Sequence, residues 1–152
     1  MTIVPVRREI VVAASQERAF DVFVRRMGSW WNPAHHIGDE DLADVVVEPR
    51  EGGRWVEVGT GGTECPWGRV LLWEPPSRVV LVWQLDTQWE YAADLETEVE
   101  VRFVVVDEEH TRVELEHRQL ERFGADAEEM RGTFDGPGGW NGLLARYADV
   151  VG

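Results

Sequence analysis

Apolar and polar positions along this chain follow two periods, and the change from one to the other outlines the fold. Between about Leu42 and Leu120 nearly every segment reads as strand, with two-residue alternation clearest toward the end. In Leu95–Val106, Leu95, Thr97, Val99, Val101 and Phe103 share one face, and Glu96, Glu98, Glu100 and Arg102 share the other. In Thr111–Gln119, Val113, Leu115 and His117 face inward while Arg112, Glu114, Glu116 and Arg118 face out. Each reads as a half-buried antiparallel strand with a wet outer face, and the Glu row is assigned to that solvated face. After Gly138 and Gly139 the period changes. Trp140, Leu143, Leu144, Tyr147 and Val151 recur at helical spacing, so Pro137–Gly152 predicts an amphipathic helix with one apolar stripe.

The rest of the chain completes the pattern. Arg8–Ala14 predicts a first strand. Ser15 is a suitable N-cap, Glu17 suits the positive end of a helix, and Phe20, Phe23, Val24 and Met27 mark its buried face; the predicted helix is Ser15–Met27, stopped by Gly28. Trp30–Ile37 predicts a short helix or loop over the mouth of the fold, with Pro33 disfavouring helix at Asn32. Leu42–Glu48, Arg54–Gly59, Trp67–Glu74 and Arg78–Leu85 predict strands, separated by turns rich in Gly or Pro. Asp86–Asp94 predicts a loop. Glu121–Gly136 predicts a connector with a helical turn near Ala127–Met130.

Composition narrows the function classes. A length of 152 residues predicts one domain, 1–152, with a real core. The net charge of −14 argues against nucleic acid and against an anionic membrane surface. All 15 basic residues are Arg, which rules out a lysine Schiff base. Cys65 is the single cysteine, so neither an intrachain disulfide nor a Cys-based zinc cluster is expected. The N-terminus shows no signal-peptide pattern and no apolar run reaches membrane-spanning length; the expected location is cytoplasmic.

Three motifs carry a family resemblance. The turn Glu48-Pro49-Arg50-Glu51-Gly52-Gly53-Arg54-Trp55 is one. The segment from Gly68 to Arg78, with Pro75-Pro76 and the later Trp83, is the second. The ending Gly139-Trp140-Asn141-Gly142-Leu143-Leu144 is the third. Their order and spacing resemble activator-of-heat-shock-protein-90-ATPase-like proteins, members of the START-like (SRPBCC) superfamily with polyketide cyclases, lipid-transfer domains and the birch-pollen allergen. The resemblance implies an α+β helix-grip fold: a curved antiparallel sheet of about seven strands wrapped around a long C-terminal helix, with two short helices after the first strand. The eukaryotic co-chaperones of that group carry a separate N-terminal chaperone-binding domain with no counterpart here, so chaperone activation is not carried over.

Within such a fold, Trp31, Trp83 and Trp140 are candidate cavity walls among the eight tryptophans, because rigid aromatic surfaces suit flat or apolar ligands. The faces of Trp55, Trp67 and Trp73 cannot be assigned from alternation. His117, on an inward face, could orient a ligand or act as a general base, or be a neutral core histidine. Phe103, Leu144 and Tyr147 share inward faces, and His36 lies near the predicted mouth; these complete the cavity candidates. Adjacent His35 and His36 lack the i, i+4 spacing of a helical metal pair and lack a third ligand, so no metal and no cofactor are expected. The expectation is a non-catalytic binder of a small apolar or aromatic molecule. The alternatives are a cyclase or dehydratase using His117, and a protein-interaction module related to chaperones. A homodimer is left open.

Overall fold

The computed structural model describes residues 3–151; Met1, Thr2 and Gly152, the last of the predicted final helix, lie outside the described residues. Seven strands form one antiparallel sheet: β1 (Val6–Val12), β2 (Leu42–Val47), β3 (Arg54–Gly59), β4 (Glu64–Glu74), β5 (Arg78–Trp83), β6 (Thr97–Asp107) and β7 (His110–Arg118). Their order across the sheet is β1-β7-β6-β5-β4-β3-β2. Neighbouring strands are mostly sequence neighbours, joined by short turns except for the long loop between β5 and β6. The exception is β1, which reaches across to pair with β7, Val6 opposite His117 and Val12 opposite Thr111. Helices α1 (Gln16–Val24), α2 (Ala127–Asp135) and α3 (Trp140–Val151) cover one face of this curved sheet. The architecture is a helix-grip fold, as the sequence pattern implies. No helix among the described residues is long and apolar enough to cross a membrane.

Helix α1 starts where Ser15 accepts a hydrogen bond from the Arg18 N–H, as predicted. It ends earlier than predicted, at Val24, where the Arg25 N–H closes on the Asp21 carbonyl; a 3-10 turn at Met27–Ser29 then carries the fully buried Met27 inward. Trp30–Ile37 is loop and turn beyond that point, not a second helix. The predicted connector 121–136 is more ordered than expected. Leu120–Asp126 forms 3-10 turns, and α2 buries Ala127, Met130 and Phe134, a stripe diluted in the sequence by its acidic neighbours. Gly136–Gly139 separates α2 from α3, so the C-terminal helical segment comes in two pieces.

The apolar stripe of α3 is buried as the spacing predicts: Trp140, Leu143, Leu144, Tyr147 and Val151 all face the sheet. Burying each such side chain contributes about 1.5–3 kcal/mol, which anchors a 12-residue helix that would be marginal on its own. The outer face of the sheet departs from expectation at one place. Glu100 was assigned to a solvated row, yet only 7% of its side chain is exposed. Arg78 and Arg102 donate to one carboxylate oxygen and Arg118 to the other, and those guanidinium stems cover it.

Candidate functional site

The interior between sheet and helices is paved with aromatic rings that fall into two groups. At one end Phe20, Phe23, Trp30, Phe103 and Tyr147 pack edge to face with centroids 4.9–5.7 Å apart. This end is full. The Tyr147 hydroxyl donates to the Ala19 carbonyl at 2.7 Å, and burial pushes its pKa up, so it remains a neutral phenol locked to α1. Phe103, Leu144 and Tyr147, three of the predicted cavity residues, therefore sit in packed core and line none of the clefts described below.

The other end is open. Trp31, His35, His36, Trp67, Trp83, Leu85 and Trp89 line a cleft of about 310 Å³ at the mouth of the fold. A smaller hollow of about 50 Å³ continues inward to Phe134, Trp140 and Leu143. A groove of about 400 Å³ runs outward over Gly132, Thr133 and Gly136–Gly138, and all three spaces share His35 and Trp89. The structure thus gathers Trp31, His36, Trp83 and Trp140 around one mouth. A wider depression of about 500 Å³ lies over the charged outer face of β1, β6 and β7, where its Arg and Glu side chains are mostly committed to one another.

The walls are held by polar contacts that the sequence did not announce. The Trp31 indole donates to the His35 carbonyl at 3.0 Å, and the Trp67 indole donates to buried Glu57 at 2.9 Å. Trp83 stands between Trp140, Phe134 and Trp89, yet its indole N–H is buried and finds no acceptor among the described residues. A buried donor left in that state costs about 1–3 kcal/mol. Trp89 was read only as part of a polar loop. It has φ of 62°, a left-handed conformation that non-glycine residues adopt at a cost, and it remains 42% exposed over the cleft. Trp55 and Trp67 could not be assigned to a face because β3 and β4 slip register between Trp55 and Val56; both rings end up inside.

His117 lies behind this mouth, with no exposed surface. Its two nitrogens are both engaged. The Trp140 indole can only donate, so at 3.1 Å it fixes Nδ1 as the acceptor and places the ring proton on Nε2. Nε2 then donates to the Thr97 hydroxyl at 2.8 Å, and that hydroxyl donates to the Trp83 carbonyl. Burial lowers the His117 pKa from 6.5 to about 3, so the ring is neutral. Neither a carboxylate nor Tyr147 is among its partners, and the ring has no nitrogen left for a substrate. Its effect on the site is indirect: it pins Trp140 and, through Thr97, the end of the strand that carries Trp83.

A curved antiparallel sheet gripping helices, with an aromatic interior open at one end, defines a START-like helix-grip protein. The family model described as activator of Hsp90 ATPase homolog 1-like protein matches residues 13–152, and the chain belongs to this family. Among solved structures, an anthrahydroquino-gamma-pyrone synthase, Txn09, is 41% identical over 99% of this chain and 98% of its own, with a TM-score of 0.69. A self-sacrificing resistance protein, CalC from Micromonospora echinospora, is 26% identical over 97% of this chain and 94% of its own, with a TM-score of 0.72. The Aha1 dimer from Colwellia psychrerythraea, 15% identical over 98% of this chain and 96% of its own with a TM-score of 0.64, shares the fold. No functionally curated protein matches the sequence.

Proposed function

We propose that this protein binds a planar, polycyclic aromatic phenol in the mouth cleft and closes an oxygen-containing ring on it. The observation that carries the reading is the cleft itself: four tryptophans around a space of about 310 Å³, one of them presenting a buried, unpaired N–H. Flat aromatic walls suit a fused-ring ligand, and an acceptor oxygen on that ligand would satisfy Trp83. The whole-length similarity to an anthrahydroquino-gamma-pyrone synthase supplies the reaction class. Closing a γ-pyrone from a phenol beside a 1,3-diketone is redox-neutral. The phenol oxygen bonds to the distal carbonyl carbon, and the carbonyl oxygen leaves as water with the phenol proton and one proton from the methylene carbon between the carbonyls, which forms the ring double bond. This revises the expectation of a non-catalytic binder toward the cyclase alternative, but without His117 as the base.

Binding is measured by quenching of tryptophan fluorescence with 1,8-dihydroxyanthraquinone. Turnover is followed with 2-acetoacetyl-1-hydroxyanthraquinone by chromatography and mass. The expected results are saturable quenching, a roughly tenfold weaker Kd in Trp83→Phe, and conversion to a product lacking one water. Quenching that stays linear up to the solubility of the probe would sink the binding reading. Binding with no product above the buffer rate would remove the cyclase step.

A further inference from the structure

Outside the hydrogen-bonded His117, the cleft has one imidazole whose proton position is fixed by the protein. His36 Nδ1 lies 2.9 Å from the Gly38 carbonyl oxygen. A carbonyl only accepts, so Nδ1 carries the proton, and in the neutral ring Nε2 bears the free lone pair. Nε2 has no hydrogen-bond partner among the described residues, and His36 lines the cleft beside Trp31, Trp67 and Trp83. His35 also lines the cleft, but its exposed ring has no hydrogen bond among the described residues to orient it.

The two residues that lead to this carbonyl are held from below through their amide groups. The Ile37 N–H donates to Glu57 Oε1 at 2.6 Å and the Gly38 N–H donates to Oε2 at 3.0 Å. Oε1 also accepts the Trp67 indole N–H. Glu57 is 1% exposed and makes no ion pair among the described residues. Burying a carboxylate without a cation is costly, and three N–H donors are what compensate it. A glutamine has the same shape but presents an amide N–H₂ to one of those donors, so only the carboxylate serves all three. The packing is close as well: a Cβ at position 38 would stand 3.0 Å from Cys65 Sγ and 3.1 Å from Glu57 Oε2, so one of those side chains would have to give by a few tenths of an ångström. At its other end the loop is tied by Trp31 through the His35 carbonyl.

We infer that His36 Nε2 is the base that removes the substrate's phenol proton in the mouth cleft, and that Glu57 is a positioning residue, setting the His36 ring through the Gly38 peptide and one cleft wall through Trp67. The inference rests on the proposed ring closure. The proton taken by Nε2 from the phenol is returned to the distal carbonyl oxygen, giving a cyclic hemiketal. That hydroxyl then leaves with one proton from the methylene carbon between the two carbonyls, so the imidazole ends each cycle neutral and the products are the γ-pyrone and one water. A histidine with a fixed tautomer suits these transfers.

Three proteins are compared: the unaltered chain, His36→Gln and Glu57→Gln. The tautomer of His36 is read by nitrogen-15 NMR without any probe, Kd with 1,8-dihydroxyanthraquinone, and kcat with 2-acetoacetyl-1-hydroxyanthraquinone. The unaltered protein is expected to show the Nδ1–H tautomer and to cyclise the substrate. His36→Gln should lose about 100-fold or more in kcat with Kd changed less than threefold. Glu57→Gln should lose roughly tenfold in kcat and show a mixture of His36 tautomers while remaining folded. An Nε2–H tautomer in the unaltered protein, or undiminished kcat in His36→Gln, overturns the assignment. If the unaltered protein binds 1,8-dihydroxyanthraquinone and does not cyclise 2-acetoacetyl-1-hydroxyanthraquinone, ring closure and the base role fail together. The tautomer of His36 in Glu57→Gln still decides the positioning role in that case.

Discussion

Replacing His117 by glutamine separates a buried neutral histidine from every other source of acid sensitivity in this fold. The folded-state pKa of His117 is about 3 because burial disfavours the cation, against 6.5 for the free side chain. Between those values the unfolded chain binds a proton that the folded chain refuses. Stability from this residue is therefore fully present above pH 6.5 and is lost as pH falls toward 3. The limiting slope is about 1.4 kcal/mol per pH unit, so moving from pH 7.5 to pH 4.5 removes roughly 2–3 kcal/mol. Glutamine keeps an acceptor for the Trp140 indole and a donor for Thr97, and it does not titrate. The variant should be less stable than the parent at pH 7.5, by about 1–2 kcal/mol for imperfect geometry. At pH 4.5 that deficit should vanish or reverse by about 1 kcal/mol. Urea unfolding of both proteins at several pH values measures the difference. Carboxylates held at lowered pKa, such as Glu48 and Glu100, also lose their contribution in acid, but they do so in both proteins and cancel. A parent-minus-variant difference that stays constant from pH 7.5 to pH 4.5 would refute the reading of His117 as a buried, uncharged anchor.

Other perturbations test the frame around the cleft. Glu100→Ala leaves Arg78, Arg102 and Arg118 facing one another, and should cost about 2 kcal/mol in urea unfolding, less at high salt because the arginines are partly exposed. Gly68→Ala would place a methyl 1.7 Å from the Val82 carbonyl oxygen, so β4 and β5 must part; a loss of about 2 kcal/mol or more in unfolding free energy is expected. Trp89→Gly relieves a left-handed φ and removes a half-exposed ring, so thermal stability should change by less than about 1 kcal/mol. The same variant should bind 1,8-dihydroxyanthraquinone at least fivefold more weakly by fluorescence quenching with the remaining tryptophans.

Much of this protein is legible in its sequence, for reasons of period and punctuation. Side chains alternate across a strand, so Val99, Val101 and Phe103 on β6 and Val113, Leu115 and His117 on β7 declared their inward face without knowledge of their partners. The α3 stripe declared itself by helical spacing, and Ser15 by its capping chemistry. What stayed hidden depends on who meets whom across the chain. Trp55 and Trp67 share the interior only because a register slip in the β3–β4 pair resets the alternation. Glu100 sits in a row of identical neighbours, and only the convergence of three arginines from β5, β6 and β7 buries it. The tautomer of His117 follows from an indole 23 residues away, and the orientation of His36 from a carboxylate about 20 residues further on. Local pattern fixes faces and element types because those depend on neighbours along the chain. The division of the aromatic interior into a filled end and an open cleft depends on volumes and hydrogen bonds between distant segments, and only the tertiary structure decided it.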